Sequence, residues 1–254
     1  WTRGADLLAE LAGPKGWRER VAAWLRATYG AAPDRATAGL LLSWYLQAPA
    51  RMAAVLFHRE RRVPSLRPDD LAVRIGRPRP QATGVALLSD GFACLPGDPA
   101  AGAPEATVVR DERALAAVLR GRFAAHAARF AEVYAPTARF GRHTFWAAAT
   151  DALDANLWRA GQQHGRERAG VADAALVLSG RFAPFTSAST VRPVAGEHGA
   201  SGWARRRESC CFKYLLPGEP ECANCPRVMP RYGRDRAGGP GAVTAGESAT
   251  PPSG

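Results

Sequence analysis

Four of the five cysteines in this 254-residue chain fall within sixteen positions near its C-terminal end. They run Cys210-Cys211, ten residues, Cys222, two residues, Cys225. Four thiolates are enough to saturate a metal centre, and as soft ligands they select iron–sulfur clusters, zinc or Cu(I) over hard ions. The segment Cys222-Ala223-Asn224-Cys225 is a CxxC turn, which brings two sulfurs onto one metal ion. On its own CxxC is ambiguous among zinc, iron–sulfur and a redox dithiol.

The other half of the pattern is less common. In an extended chain the two side chains of a vicinal pair point to opposite faces. That suits a single zinc tetrahedron, with sulfurs at about 2.3 Å, poorly. A [2Fe–2S] rhomb is larger and takes two thiolates on each of two irons. The expected pairing puts Cys222 and Cys225 on one iron and Cys210 and Cys211 on the other. A disulfide framework belongs to small secreted domains. This chain is long enough to bury an ordinary core, and its cysteines are too clustered to staple it. Spacing leaves a structural zinc module in an interaction protein, and an iron–sulfur redox regulator of transcription, as the alternatives.

The stretch Arg205-Arg206-Arg207-Glu208-Ser209-Cys210-Cys211-Phe212-Lys213-Tyr214-Leu215-Leu216-Pro217-Gly218, followed by Cys222-Ala-Asn-Cys225-Pro226, resembles the C-terminal signature of the FhuF-type ferric siderophore reductases. The resemblance covers about residues 203–227. It implies a [2Fe-2S] cluster with Cys210, Cys211, Cys222 and Cys225 as its ligands. It further implies a cytoplasmic oxidoreductase, a ferric-chelate reductase that passes one electron to siderophore-bound Fe(III) and releases Fe(II). Transfer to some other acceptor would use the same chemistry. No Gly-x-Gly-x-x-Gly or Walker pattern offers a flavin or nucleotide site, so the electrons must come from a separate, unidentified donor. No catalytic residue beyond the cluster ligands is indicated. The five histidines are scattered, and no acidic pair suggests acid–base machinery.

The formal net charge is +11, and every basic residue except Lys15 and Lys213 is an arginine. The arginines are spread along the chain without a nucleic-acid-reading motif, so nucleic acid is not expected as a partner. Such a charge mildly favours anionic ferric chelates, catecholates over neutral hydroxamates. Arg205, Arg206, Arg207, Lys213 and Arg227 flank the cysteines. Positive charge there would raise a cluster's potential or dock an acidic donor or an anionic chelate; the bland reading is a solvated basic turn. The most apolar stretch, residues 36–57, is interrupted by Gln47, Pro49 and Arg51, short of the roughly 20 apolar residues a transmembrane helix needs. A core helix is expected, with no transmembrane segment; peripheral membrane contact is compatible with this. No leader with a cleavage site is visible, and the first residue is Trp1 rather than Met.

The positioning elements follow from periodicity. Helices are expected over residues 5–12 and over 17–29, where Trp17, Val21, Trp24 and Leu25 form one apolar face. Gly30 is the expected stop. Asp34 is the expected cap of a third helix, which Pro49 should break or kink before it continues through Phe57. Seven prolines between Pro64 and Pro104 exclude long helices. The short runs 71–75, 84–88 and 91–95 suggest a small antiparallel sheet, about residues 66–96, with Ser89-Asp90-Gly91 as a hairpin turn. Cys94 falls in it as an inert buried hydrophobe. Helices return over 111–134, 141–164 and 167–178 and should pack over the sheet. The expected fold class is α+β, mainly helical: a helical bundle with a small antiparallel sheet and a C-terminal iron–sulfur loop. The expected organisation is a reductase domain over 1–200, a [2Fe–2S]-binding segment over 201–231 and a disordered tail over 232–254. Pro217 to Glu221 should leave one side of the cluster near solvent, with Tyr214, Leu215 and Leu216 as apolar backing.

Overall fold

A long central helix carries most of the core. The structure, a computed structural model, describes residues 1–11, 16–195 and 201–228; the expected tail over 232–254 lies outside the described residues. Among these, six α-helices occur: α1 (Gly4–Leu11), α2 (Trp17–Tyr29), α3 (Asp34–Glu60), α4 (Glu112–Ala138), α5 (Arg142–Gln163) and α6 (Glu167–Val177). The α+β, mainly helical class holds.

The expected face of α2 is the buried one, with Trp17, Val21 and Leu25 fully enclosed. Gly30 ends it at φ 74°, its N–H donating to the Arg26 carbonyl at 2.9 Å. That left-handed conformation is the one glycine adopts without a Cβ penalty.

Helix α3 departs from expectation twice. Asp34 is its first helical residue rather than its cap. The Pro33 carbonyl accepts from the Thr37 N–H, and the Asp34 carboxylate lies in the first turn, where it complements the helix dipole. The helix also runs through Pro49 without a break. A proline inside a helix costs about 3 kcal/mol. Burial of large side chains such as Leu41, Leu46 and Phe57, each worth about 1.5–3 kcal/mol, outweighs that on both sides of Pro49. By length and apolarity α3 would suffice to cross a bilayer, but 61% of its apolar window is buried within the protein.

The proline-rich region forms two sheets, not one. Strand β1 (Thr2–Arg3) and strand β4 (Ala82–Leu87) flank β3 (Leu71–Ile75), all antiparallel. Separately, β5 (Phe92–Cys94) pairs antiparallel with β2 (Val63–Pro64) and parallel with β6 (Ala106–Val108). The Ser89-Asp90-Gly91 turn therefore links two sheets and does not close a hairpin. Gly91 is drawn into the second sheet, its carbonyl accepting from the Ser65 N–H at 3.1 Å. Cys94 is fully buried in β5, and burial pushes its thiol above the ordinary range.

Helix α5 lies against α3 through a face of alanines, and Asn156 donates to Gln47 across that seam at 2.7 Å. It meets α6 where Gly161 and Gly170 touch backbone to backbone; a Cβ on Gly161 would fall 2.6 Å from the Gly170 nitrogen. A final hairpin, β7 (Val191–Ala195) with β8 (Ser201–Arg205), leads into the cysteine segment.

Candidate metal centre

The cysteine segment is fastened to the helical body by one buried carboxylate. Asp151, on the inner face of α5, accepts from Arg205 Nη1 at 2.7 Å and from the Glu208 N–H at 2.9 Å. Its other oxygen accepts from the Ser209 N–H at 2.8 Å and the Ser209 hydroxyl at 2.6 Å. Asp154, one turn on, accepts from the Thr190 N–H at 3.1 Å and lies 4.0 Å from Arg205. Burial pushes its carboxyl up, against the pull of Arg205 and of its hydrogen-bond donors. Neither aspartate stood out in the sequence. The signal was there: two carboxylates three residues apart in an alanine- and leucine-rich helix face must meet partners.

A second fastening is apolar. Phe212 takes φ 58°, a conformation that costs an ordinary side chain roughly 1–2 kcal/mol. Its ring stacks on Phe140 at 5.3 Å between centroids, under the Arg35 guanidinium at 5.0 Å. It also lies over Gly39, where a Cβ would fall 2.6 Å from the ring and 3.0 Å from the Cys211 carbonyl oxygen. This turn aims the Phe212 N–H at the Cys210 sulfur, 3.3 Å away. The backing is thus Phe212 and Leu216, both buried; of the expected trio, Leu215 is exposed and Tyr214 half-buried. Pro217 and Gly218 are exposed.

The loop closes through Arg207 N–H to the Asn224 carbonyl at 3.2 Å, and the CxxC turn through Cys225 N–H to the Cys222 carbonyl at 2.9 Å. The close sulfur pair crosses the loop: Cys211 Sγ and Cys222 Sγ are 3.5 Å apart. Cys225 is close enough to Cys210 to act on its charge. The Cys211–Cys222 contact thus brings one cysteine of the vicinal pair against one of the CxxC turn. Ligands sharing one tetrahedral ion at 2.3 Å stand about 3.8 Å apart, and the Cys211–Cys222 pair is near that spacing. Among the described residues no three His, Cys, Asp or Glu side chains gather into a site for a single ion. Four thiolates are the donor set a two-iron cluster takes, two on each iron.

The flanking basic residues are not a solvated turn. Arg205 and Arg206 are buried and bound to Asp151 and Glu208, and Lys213 is paired with Glu219 at 2.6 Å. Arg227 lies over the Tyr214 ring. Arg207 addresses the sulfurs most directly, acting on both Cys211 and Cys222. Burial disfavours its charge, but Asp151, Cys211 and Cys222 outweigh this and hold it more firmly protonated than usual. Its Nε is buried without a hydrogen-bond partner. In return, burial pushes the Cys211 thiol up, but Arg207 and the donors around it, among them the Lys213 N–H, leave it below its ordinary range. Cys210 and Cys222 are raised, chiefly by burial. One buried cation with a free N–H beside thiol sulfurs suits an anionic thiolate-bound cluster.

Four cysteines gathered on one loop, with the Arg207 guanidinium beside them, are a donor set of the kind iron–sulfur proteins use. The comparisons agree. Residues 207–227 match the family model described as the FhuF 2Fe-2S C-terminal domain. The chain carries that FhuF-type domain, as the sequence resemblance implied, and its cofactor is a [2Fe–2S] cluster. No curated protein and no solved structure matches the chain.

Proposed function

We propose that the protein is a cytoplasmic ferric siderophore reductase in which Cys210, Cys211, Cys222 and Cys225 hold the [2Fe–2S] cluster. The observation that supports the reading is the match of residues 207–227 to the FhuF 2Fe-2S domain, with Cys211 and Cys222 brought together within it. The cluster, when bound, stores and passes a single electron. The chain's own residues do the rest. Asp151 and Phe212 hold the loop in register on α5 and α3. Arg207 offsets the negative charge of the thiolates, and positive charge and hydrogen bonds at the sulfurs raise a cluster's potential. The exposed Pro217–Gly218 edge and the half-buried Cys210, Cys211 and Cys222 give donor and acceptor access. Fe(III) reduced to Fe(II) is held weakly by the hard oxygen ligands of a siderophore, so release follows reduction. A separate donor protein supplies the electron.

The test is direct. Anaerobically purified protein should be red-brown, should contain two irons and no zinc, and should give a one-electron EPR signal after dithionite. Freed of dithionite and mixed with a ferric siderophore and an Fe(II) indicator, it should release one Fe(II) per reduced cluster. A colourless zinc protein, or a reduced cluster that no ferric siderophore reoxidises, would refute the reading.

A further inference from the structure

Next to the cysteine loop lies a cleft of about 500 Å³, within the 300–1,000 Å³ typical of small-molecule sites. Helix α3 supplies one wall, with Trp44, Gln47 and Arg51, and α5 the other, with Asn156 and Arg159. The cysteine segment closes the end through Arg207, Ser209 and Asn224. Ser209 and Asn224 directly precede Cys210 and Cys225 in the chain, and Arg207 reaches from the cleft to Cys211.

The charge in this cleft is out of balance. Four arginines line it (Arg51, Arg159, Arg205 and Arg207) against a single carboxylate, Asp151. Asp151 is already engaged by Arg205 and lies 3.8 Å from Arg207 Nε. Arg51 and Arg159 are exposed and make no ion pair among the described residues. Arg159 as a whole stays open to solvent, but partial burial of its guanidinium, and then the charges of Arg205, Arg207 and Arg51, push it below its ordinary range, so the arginines sense one another across the cleft. Unpaired guanidiniums on a concave polar wall are a receptor for planar, bidentate oxygen anions.

Resting on the reductase reading, we propose that this cleft is the acceptor site, and that Arg51 and Arg159 select ferric chelates of net negative charge with outward-facing catecholate or carboxylate oxygens over neutral tris-hydroxamates. Concavity and volume fit a chelate of this kind; a protein donor would need a broader face. An occupant of the cleft lies one residue from two of the cysteines, which places the iron it carries beside the loop.

Binding can be read without electron transfer by using gallium(III), which is not reduced. Cluster-loaded full-length protein is titrated calorimetrically with a hexadentate gallium tris-catecholate, charge 3−, and with a neutral gallium tris-hydroxamate. The anionic complex should bind at least tenfold tighter. Arg51→Gln and Arg159→Gln should each weaken it roughly tenfold, about 1.4 kcal/mol. They should leave the neutral complex, the visible spectrum and the melting temperature unchanged. Equal affinity for both complexes, or unaltered catecholate binding in both variants, overturns the cleft assignment. If the wild type still reduces ferric siderophores stoichiometrically in that case, the reductase reading survives alone. Tight, arginine-dependent binding with no reduction of any ferric chelate would instead overturn the reductase reading, and with it the role of the cleft as acceptor site.

Discussion

Asp151→Ala should free the cysteine loop while leaving the helical body folded. The carboxylate makes a buried ion pair with Arg205 at 2.7 Å and accepts three further bonds from Glu208 and Ser209. Removing one partner of a buried pair costs about 3–5 kcal/mol. The low end applies, because Asp154 stays 4.0 Å from Arg205. The three remaining donors are worth about 1 kcal/mol each, but they act as one unit and do not add in full. A total of about 4 kcal/mol in the docking equilibrium of the loop corresponds to roughly a thousandfold at about 1.4 kcal/mol per decade. The assay is iron release to a large excess of a colourless chelator, followed by loss of the visible absorption. Release should speed up roughly 10²–10³-fold, since exchange by local opening tracks the open population. Far-ultraviolet circular dichroism should barely change. Release within threefold of wild type would refute the claim that Asp151 holds the loop.

Gly39→Ala should also strip the cluster, from the opposite side. The added methyl meets the Phe212 ring and the Cys211 carbonyl, and such overpacking costs about 1–3 kcal/mol, whereas alanine favours the helix itself; iron content should fall with helicity unchanged. Single Cys→Ser changes at 210, 211, 222 and 225 should each alter or abolish the EPR signal, while Cys94→Ala should leave it intact. Burial holds the His126 imidazole, whose Nδ1 lies 2.6 Å from the Leu66 carbonyl oxygen, down to about pKa 4 from its ordinary 6.5. Below pH 6.5 the unfolded chain takes up a proton that the fold refuses, so stability falls with pH until about 4. The loss totals about 3 kcal/mol. Urea midpoints from pH 7 to 4 should show this extra loss in the wild type and not in His126→Gln.

What was legible in the sequence was local. The cysteine spacing announced the centre, and the apolar face of Trp17, Val21 and Leu25 announced α2 within a residue. What was not legible depended on partners far along the chain. The Ser89-Asp90-Gly91 signal is a turn, but which strands it joins was decided by Val63–Pro64 and Ala106–Val108, outside the run that suggested a hairpin. The left-handed turn at Phe212, which stacks its ring on Phe140, depended on a residue more than seventy positions away. Asp151 lies more than fifty residues from the groups it binds, and Arg51 and Arg159 meet only because α3 and α5 pack side by side.

The division of labour between body and loop has a further meaning. The large side chains of the core come almost wholly from residues 7–191, and the cysteine segment adds only Phe212 and Leu216 to it. The polypeptide can therefore outlast its inorganic part. The empty chain would stand as a finished scaffold, to be recharged with iron rather than degraded and made again.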